Sequence, residues 1–511
     1  ERGTFRALTE KIPYLKELGI TAVELMMPNE FQEVMMEDGA DGNPYATGTP
    51  TGRLNYWGYG AGYLFAPKAS YTSGKEKEPE REFKDLVKEF HKNDIEVLVE
   101  LYFTGEESAA LAQEAVRFWV YEYHVDGVHL SGFAPAELLA SDPLLADTKL
   151  LAASWDGVRV PKTAAAPKLR ERRWHLGEYN EGFLIDMRRV LKGLIYQTRR
   201  NPDAYGVINY MAATNGFTMM DMVSCEQKHN EANGENNRDG SDYNYTWNCG
   251  VEGTTRKKKI VQMRKKQLRN AFLLLFLSQG TPMFLAGDEF GNSQNGNNNA
   301  YCQDNEISWL NWHQLETNRD IYEFVKYMIA FRKAHPVFHL PVEPKNIDYL
   351  VCGHPDVSYH GVKTWCPEFE NFRRQLGILY CGEYGRRADG TSDDYFFVAY
   401  NMHWEPHEFD LPKLPKGMQW TLCINTDDAD NNGICPPESL EAGQEPQEEL
   451  RQYMVPPRSI LVFRSFKPIS GPASEKDGKK VGKVVKSVKR QNVRKEPAKE
   501  AETVVAAVRE L

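Results

Sequence analysis

No stretch of this chain is apolar for long enough to cross a membrane: the strongest run, Ala271–Leu277, falls far short of the ~20 residues a spanning helix needs. No secretory or transit signal is visible either. The first residue is Glu1 rather than Met, which reads as a truncated start, so that missing signal says little. Cysteine is scarce. The eight residues at 225, 249, 302, 352, 366, 381, 423 and 435 include no C-x-x-C pair, which argues against a metal knuckle or a redox motif. A chain of 511 residues needs no disulfide framework, so free thiols and a cytoplasmic location are expected. Basic residues are in deficit, 62 Lys and Arg against 72 Asp and Glu. The segment from Lys467 to the end reverses this, with 12 basic and 6 acidic residues. An acidic body excludes nucleic acid as the main partner, because phosphate binding needs clustered Lys and Arg on the folded surface. Neither a membrane nor a nucleic-acid partner is expected.

What the chain does have is apolar material, 41% hydrophobic and 12% aromatic, enough for packed cores and too much for a mainly disordered protein. Apolar runs alternate with amphipathic helical patterns along the first two thirds. Thr21–Met27, Ile95–Tyr102, Gly127–Leu130, Thr148–Ala153, Gly206–Ala212 and Pro282–Ala286 read as buried strands. Helices are expected before them at Ile12–Leu18, Phe83–Phe90, Leu111–His124 and Gln267–Ser278. Strands alternating with helices mean βαβ units and a parallel sheet, and the spacing suits a closed (β/α)8 TIM barrel. From about Asp348 the texture changes to short runs such as Tyr395–Tyr400, Trp420–Ile424 and Ser459–Phe463 between turn residues, the signature of an antiparallel β-sandwich. The expected organisation is an α/β barrel over 1–335, a C-terminal β-sandwich domain over 336–466, and a basic, disordered tail over 467–511. One or two helical turns are conceivable at Val504–Leu511.

Several long strings carry a resemblance: EQKHNEANGENNRDG at 226–240, YTWNCGVEG at 245–253, LSQGTPMFLAGDEFG at 277–291 and QNGNNNAYCQDNEISWLNW at 294–312. NYWGYG at 55–60, FAP at 65–67 and HVDG at 124–127 extend it. The chain resembles the isoamylase, pullulanase and glycogen-debranching branch of the α-amylase superfamily (glycoside hydrolase family 13). That resemblance implies a (β/α)8 barrel with a C-terminal β-domain, acting on α-glucans such as glycogen or starch. It also implies that the first barrel strand is missing, since Glu1 falls where that strand should just have ended.

The resemblance is most informative where it fails. The family's nucleophile is an Asp closing strand four in a motif of the form VDGFRFD; the corresponding Val125–Ser131 reads VDGVHLS, so Ser131 takes its place and His129 that of an Arg. The acid/base Glu of LIAEPWD corresponds to Ala153 in LLAASWD. The third carboxylate, an Asp after a His in NYxTAHDGFT, corresponds to Asn215 after Thr214. The strand-three DVVFNHT has become ELYFTGE at 100–106, losing the Asn–His pair and with it the Asn that helps bind calcium in many relatives. Retaining glycosidases need two carboxyl groups, one nucleophile and one acid/base. Neither a serine without a neighbouring base nor an alanine supplies them. The connection between strand three and HVDG is also much shorter than the family's cleft-walling excursion.

Weighed singly, the remaining candidates divide. The loop carrying Glu226, His229, Asn230, Glu235 and Asn236 suits glucan hydroxyls, and equally suits a loop bonded to itself. Trp57 is expected to pack at the rim and Tyr59 to meet a sugar if one enters. Asp288 and Glu289 look catalytic but are expected to be structural, and His229, lacking a second His or Cys at ligand spacing, to be a hydrogen-bonded loop residue. The expectation is a glycogen-debranching relative without hydrolytic activity, needing no metal or cofactor. It would bind α-glucan or form a hetero-oligomer with an active debranching enzyme. Two alternatives stand: an active α-1,6-glucosidase using displaced carboxylates such as Glu100 or Asp156, and a structural or decaying pseudoenzyme that binds no sugar.

Overall fold

Strands buried on both faces read as unbroken apolar runs, and the runs of the first 290 or so residues do form a parallel sheet. The computed structural model describes residues 2–37, 49–74, 78–155, 175–187, 191–370, 373–435, 450–467 and 505–508. Seven strands pair in chain order: β1 (Ala22–Leu25), β2 (Glu96–Phe103), β3 (Gly127–Gly132), β4 (Lys149–Ala152), β5 (Leu176–Asn180), β6 (Gly206–Tyr210) and β7 (Thr281–Leu285). A further strand, Val505–Val508, pairs in parallel with both β7 and β1 and closes the barrel. This corrects the expectation of a helical turn there: the facing edges of β1 and β7 offer unpaired backbone groups that an extended segment satisfies and a helix does not. The rest of the basic tail lies outside the described residues. So does Asp156.

The helices form around the sheet for legible reasons. In α1 (Ile12–Leu18) the chain stops at Gly19, whose φ of 96° is left-handed and whose N–H bonds the carbonyls of Leu15 and Lys16. A Cβ at Gly19 would sit 2.9 Å from Ile329 on a neighbouring helix, so close packing adds a second demand for glycine. The pattern Phe83, Leu86, Val87, Phe90 puts one apolar face of α2 (Pro79–His91) into the core. Ser108 caps α3 (Ala109–Tyr123) by accepting the Leu111 N–H.

Two long helices, α4 (Lys258–Phe276) and α5 (Arg319–Ala334), separate the barrel from the C-terminal strands. Arg332 of α5 is buried and donates to the carbonyls of Phe276, Ser278 and Gly280 at 2.6 Å each, tying the end of α4 to the entry of β7. Burial lowers this guanidinium to about 9.

The C-terminal strands are antiparallel: β8 (Val357–His360), β9 (Gln375–Tyr380), β10 (Phe396–Asn401), β11 (His407–Asp410), β12 (Gln419–Asn425), β13 (Gln452–Val455) and β14 (Ser459–Phe466). Five of them make one sheet in the order β8-β9-β10-β14-β12, and β11 pairs with β13. The period-2 alternation of β10 splits its side chains between two cores. Phe396, Val398 and Tyr400 join the barrel-side core, while Phe397 and Ala399 meet Phe409 and Val455 of the two-stranded layer.

Candidate functional site

Inward-facing side chains of a closed barrel stack in layers, and here the lower layer is apolar: Ala22, Leu98, Leu151, Ile208 and Met283. Two residues further along each strand the chemistry changes. Glu24 of β1, Glu100 of β2 and His129 of β3 bring ligand-type atoms within 4.8 Å of one another. His129 Nδ1 lies 2.8 Å from Glu24 Oε1 and 3.8 Å from Glu100 Oε1, so one imidazole sits between two carboxylates. Tyr179 donates to Glu24, Ser131 donates to Glu100, and Tyr59 donates to Glu100 at 3.0 Å. Burial raises the Glu100 carboxyl above its usual range, against the lowering effects of His129 and of the two hydroxyls. For His129 burial is the largest single influence and lowers it, but the Glu24 and Glu100 charges together outweigh it and the imidazole is raised. The result is an imidazole shifted toward its protonated form between two acids, where the resemblance leads one to expect an arginine.

The three positions to which the resemblance assigns catalytic carboxylates, Ser131, Ala153 and Asn215, lie at or just beyond the C-terminal ends of their strands. Ser131 is half-buried and its hydroxyl is spent on Glu100. Ala153 and Asn215 are exposed. Beside Ala153, Glu178 is buried but turned outward, its carboxylate 2.5 Å from Arg200 and accepting the Trp155 N–H. No carboxylate therefore stands at any of the three positions.

Trp57 is buried and packs edge-on against Tyr59 and Tyr301, at 6.0 and 6.4 Å between ring centroids. Tyr59 spends its hydroxyl on Glu100, inside the cluster. The polar loop is bonded largely to itself. Asn230 donates to Asp239 and to Asn298, Asn237 accepts the Asn230 N–H, and Glu235 takes both Arg53 and Tyr301. Asn236 and Asn237 adopt left-handed backbone at φ 53° and 58°, a conformation Asn tolerates well. Glu226 contributes its N–H, not its side chain, to Glu252.

His229 is a hydrogen-bonded loop residue, its Nε2 3.1 Å from Glu252, although a thiol stands four residues before it. Cys225 and Glu252 bring ligand atoms within 4.8 Å of it, Cys225 from one helical turn earlier in sequence. Yet Glu252 already accepts the Glu226 and Gln227 N–H groups, Asn248 and His229, and burial pushes the Cys225 thiol up to about 12. Glu252 is thus already spent on four donors.

Asp288 and Glu289, just after β7, are both buried, with Asp288 accepting the Met219 N–H and Glu289 the Tyr14 hydroxyl at 2.5 Å and the Gly287 N–H at 2.8 Å. Burial lifts Glu289 to about 7. A folded-state value above the unfolded one means that the proton stabilises the fold. Stability is full below about 4.5 and falls as pH rises through 7, by on the order of 3 kcal/mol. Chemical denaturation across pH 5–8.5 should show this fall in the parent chain and a shallower one in Glu289→Gln; parallel curves would contradict it.

A groove of about 1500 Å³ does not touch Ser131, Ala153 or Asn215. It runs past Tyr56, Tyr71, Trp309, Trp312 and the carboxylates of Glu33 and Asp304. The chemistry reasoned from sequence and this groove are therefore separate, and the side chains at the strand ends carry the greater weight for catalysis.

Against known proteins, the α-amylase C-terminal all-beta domain family matches residues 383–465. A "Glycogen operon protein GlgX homolog" of Mycobacterium tuberculosis is 31% identical over 558 aligned positions, covering 91% of this chain and 73% of its own length. "Isoamylase 3, chloroplastic" of Oryza sativa subsp. japonica is 31% identical over 85% of this chain and 62% of its own. Among solved structures, the GBS pullulanase SAP in complex with maltotetraose superposes with a TM-score of 0.62 over 91% of this chain and 68% of that one, at 15% identity, a likeness of fold. By these sequence matches the chain belongs to the isoamylase and glycogen-debranching branch of the α-amylase superfamily.

Proposed function

We propose that this protein works in α-glucan metabolism as a non-hydrolytic member of its family, binding glycogen- or starch-type glucan or serving as partner subunit to an active debranching enzyme. The observation that carries the reading is the trio Ser131, Ala153 and Asn215 at the strand ends. Cleaving a glycosidic bond by the retaining route needs a nucleophile and an acid about 5–5.5 Å apart with the anomeric carbon between them. Here that layer offers a hydroxyl, a methyl and an amide. Glucan binding is supported by exposed aromatics on connections that leave the strand ends, Phe133 after β3 and Tyr243 after β6, at 75% and 81% exposure. A maltotetraose complex of a protein of the same fold adds to it. All eight cysteines are free thiols, which suits a cytoplasmic setting.

One observation favours a second reading, an active α-1,6-glucosidase: Glu24 and Glu100 do bring carboxylate oxygens within 4.8 Å of each other. The His129 ring fills the space between them, and both acids already accept hydroxyl donors, so an anomeric carbon has no room there. Incubation with glycogen and with limit dextrin should release no reducing ends, while native gels containing glycogen should retard the protein. Turnover lost in Glu100→Gln would establish the second reading. Absence of both turnover and retardation would leave a structural protein that binds no sugar.

A further inference from the structure

Three side chains on the turn between β10 and β11, well apart from the barrel site, gather at one point. His403, Glu405 and His407 each place a ligand atom within 4.8 Å of the other two. The backbone is fixed to hold them there. Asn401, fully buried at the end of β10, accepts the His403 N–H at 3.2 Å and donates to the carbonyls of Glu405, Val455 and Pro456 at 2.9–3.1 Å. The His403 ring lies flat against Trp404 with centroids 4.0 Å apart, and edge-on to His407 at 4.9 Å.

The side chains are positioned but poorly satisfied. His403 Nδ1 takes only the Glu405 backbone N–H, at 3.1 Å, and the Glu405 carboxylate approaches it no closer than 4.0 Å. His407 Nε2 is shut off from solvent and has no hydrogen-bond partner. A buried polar atom left unmatched is costly, and in native folds such atoms are met by water or an ion.

We propose that His403, Glu405 and His407 form a binding site for a zinc-type divalent cation on the C-terminal β-domain, with water completing the coordination sphere. Two imidazoles and one carboxylate are a donor set that suits Zn²⁺ with one position left to solvent, whereas Ca²⁺ and Mg²⁺ prefer all-oxygen shells. Glu405 supplies the negative charge. Arg374, whose guanidinium lies 5.9 Å from the Trp404 ring centroid, opposes a cation and sets a ceiling on affinity. Binding fastens the turn that displays Trp404, whose indole is 59% exposed.

The full chain, stripped with chelator, should be titrated with ZnCl2 by calorimetry and by thermal unfolding. The double variant His403→Ala/His407→Ala should bind one Zn²⁺ fewer per chain and lose the metal-dependent rise in unfolding temperature. Glu405→Gln, at a side chain 66% exposed and so safe for folding, should weaken the same event at least tenfold. Any ion held by Cys225, His229 and Glu252 is common to all three chains and cancels in the comparison. Loading with Co²⁺ should give a ligand-field spectrum that differs between parent and double variant and lacks a thiolate charge-transfer band in the difference. Equal stoichiometry and equal thermal response in parent, double variant and Glu405→Gln would overturn the site.

Discussion

Replacing His129 by Ala should destabilise the barrel by about 3–5 kcal/mol at pH 7, the cost of leaving buried charge uncompensated. The imidazole is the only cation among the groups described at that layer, where Glu24, Glu100, Tyr59, Tyr179 and Ser131 converge from five separate segments. Without it two carboxylates face each other in a low-dielectric interior, and one must hold a proton that the unfolded chain would release.

The pH dependence follows from signs. His129 is raised in the fold, so its contribution is present below its unfolded value near 6.5 and is lost as pH climbs through the folded one. Glu100 is raised too, so ionising it weighs against the fold increasingly as pH rises above 4.5. The two signs oppose each other in the variant, but between pH 5 and 7 the carboxylate term acts over the whole span and the His129 term only above 6.5, so the His129→Ala penalty should be smaller at pH 5, where a carboxylate takes up a proton readily, than at pH 7. Adding Glu100→Gln to His129→Ala should recover a large part of the loss at pH 7. Urea denaturation of the parent, His129→Ala and the double variant at both pH values measures this. A penalty independent of pH and not relieved by Glu100→Gln would mean that His129 acts by packing alone.

How the site became legible depends on the kind of signal each residue gives. The expectation for Ser131, Ala153 and Asn215 rests on family strings that flank them on both sides, and the structure has these residues on β3, just after β4 and after β6. Glu24 was harder to see. It is a single acid inside the apolar run TAVELMM, and period-2 counting alone does not say whether it faces the lumen or the helices. Its partner His129 is supplied by another strand: the parallel register sets His129 opposite Glu100 but Glu24 opposite Leu98, two residues short of that level, and the stagger of the closed barrel brings the two side chains together.

Tyr179 was missed with its whole strand. LGEYN has too few apolar residues for the periodicity that revealed the other strands, because Glu178 and Asn180 face outward into ion-pair and amide contacts with Arg200 rather than into an apolar layer. The closing strand Val505–Val508 is a short apolar run in a basic tail, and what makes it extended is the pair of edges waiting for it. The Cys225–His229 spacing was visible in the sequence but passed over, whereas Glu252 reaches it only through the fold.

Restoring the family's carboxylate at position 131 should harm this barrel rather than awaken it. In Ser131→Asp, the hydroxyl that now donates to Glu100 becomes a second acceptor against it. Two carboxylates at hydrogen-bond distance cannot both ionise, so one keeps a proton at pH 7. Holding a proton about 2.5 units above an ordinary carboxyl value costs about 3–4 kcal/mol, and the lost hydroxyl–carboxylate bond adds about 1–2 more. The total is of the order of an ordinary domain's entire margin. The triple variant Ser131→Asp/Ala153→Glu/Asn215→Asp should likewise release no reducing ends from limit dextrin, because the family's Arg, which would pair with an aspartate at 131, is here His129, already engaged with Glu24. Adding His129→Arg to the triple variant should regain stability relative to the triple alone, since an always-charged guanidinium can reach more than one acid at once. Thermal unfolding of the single, triple and quadruple variants, read beside the reducing-end assay, decides the matter: a Ser131→Asp chain as stable as the parent would mean that the Glu100 contact is not the constraint that holds this layer together.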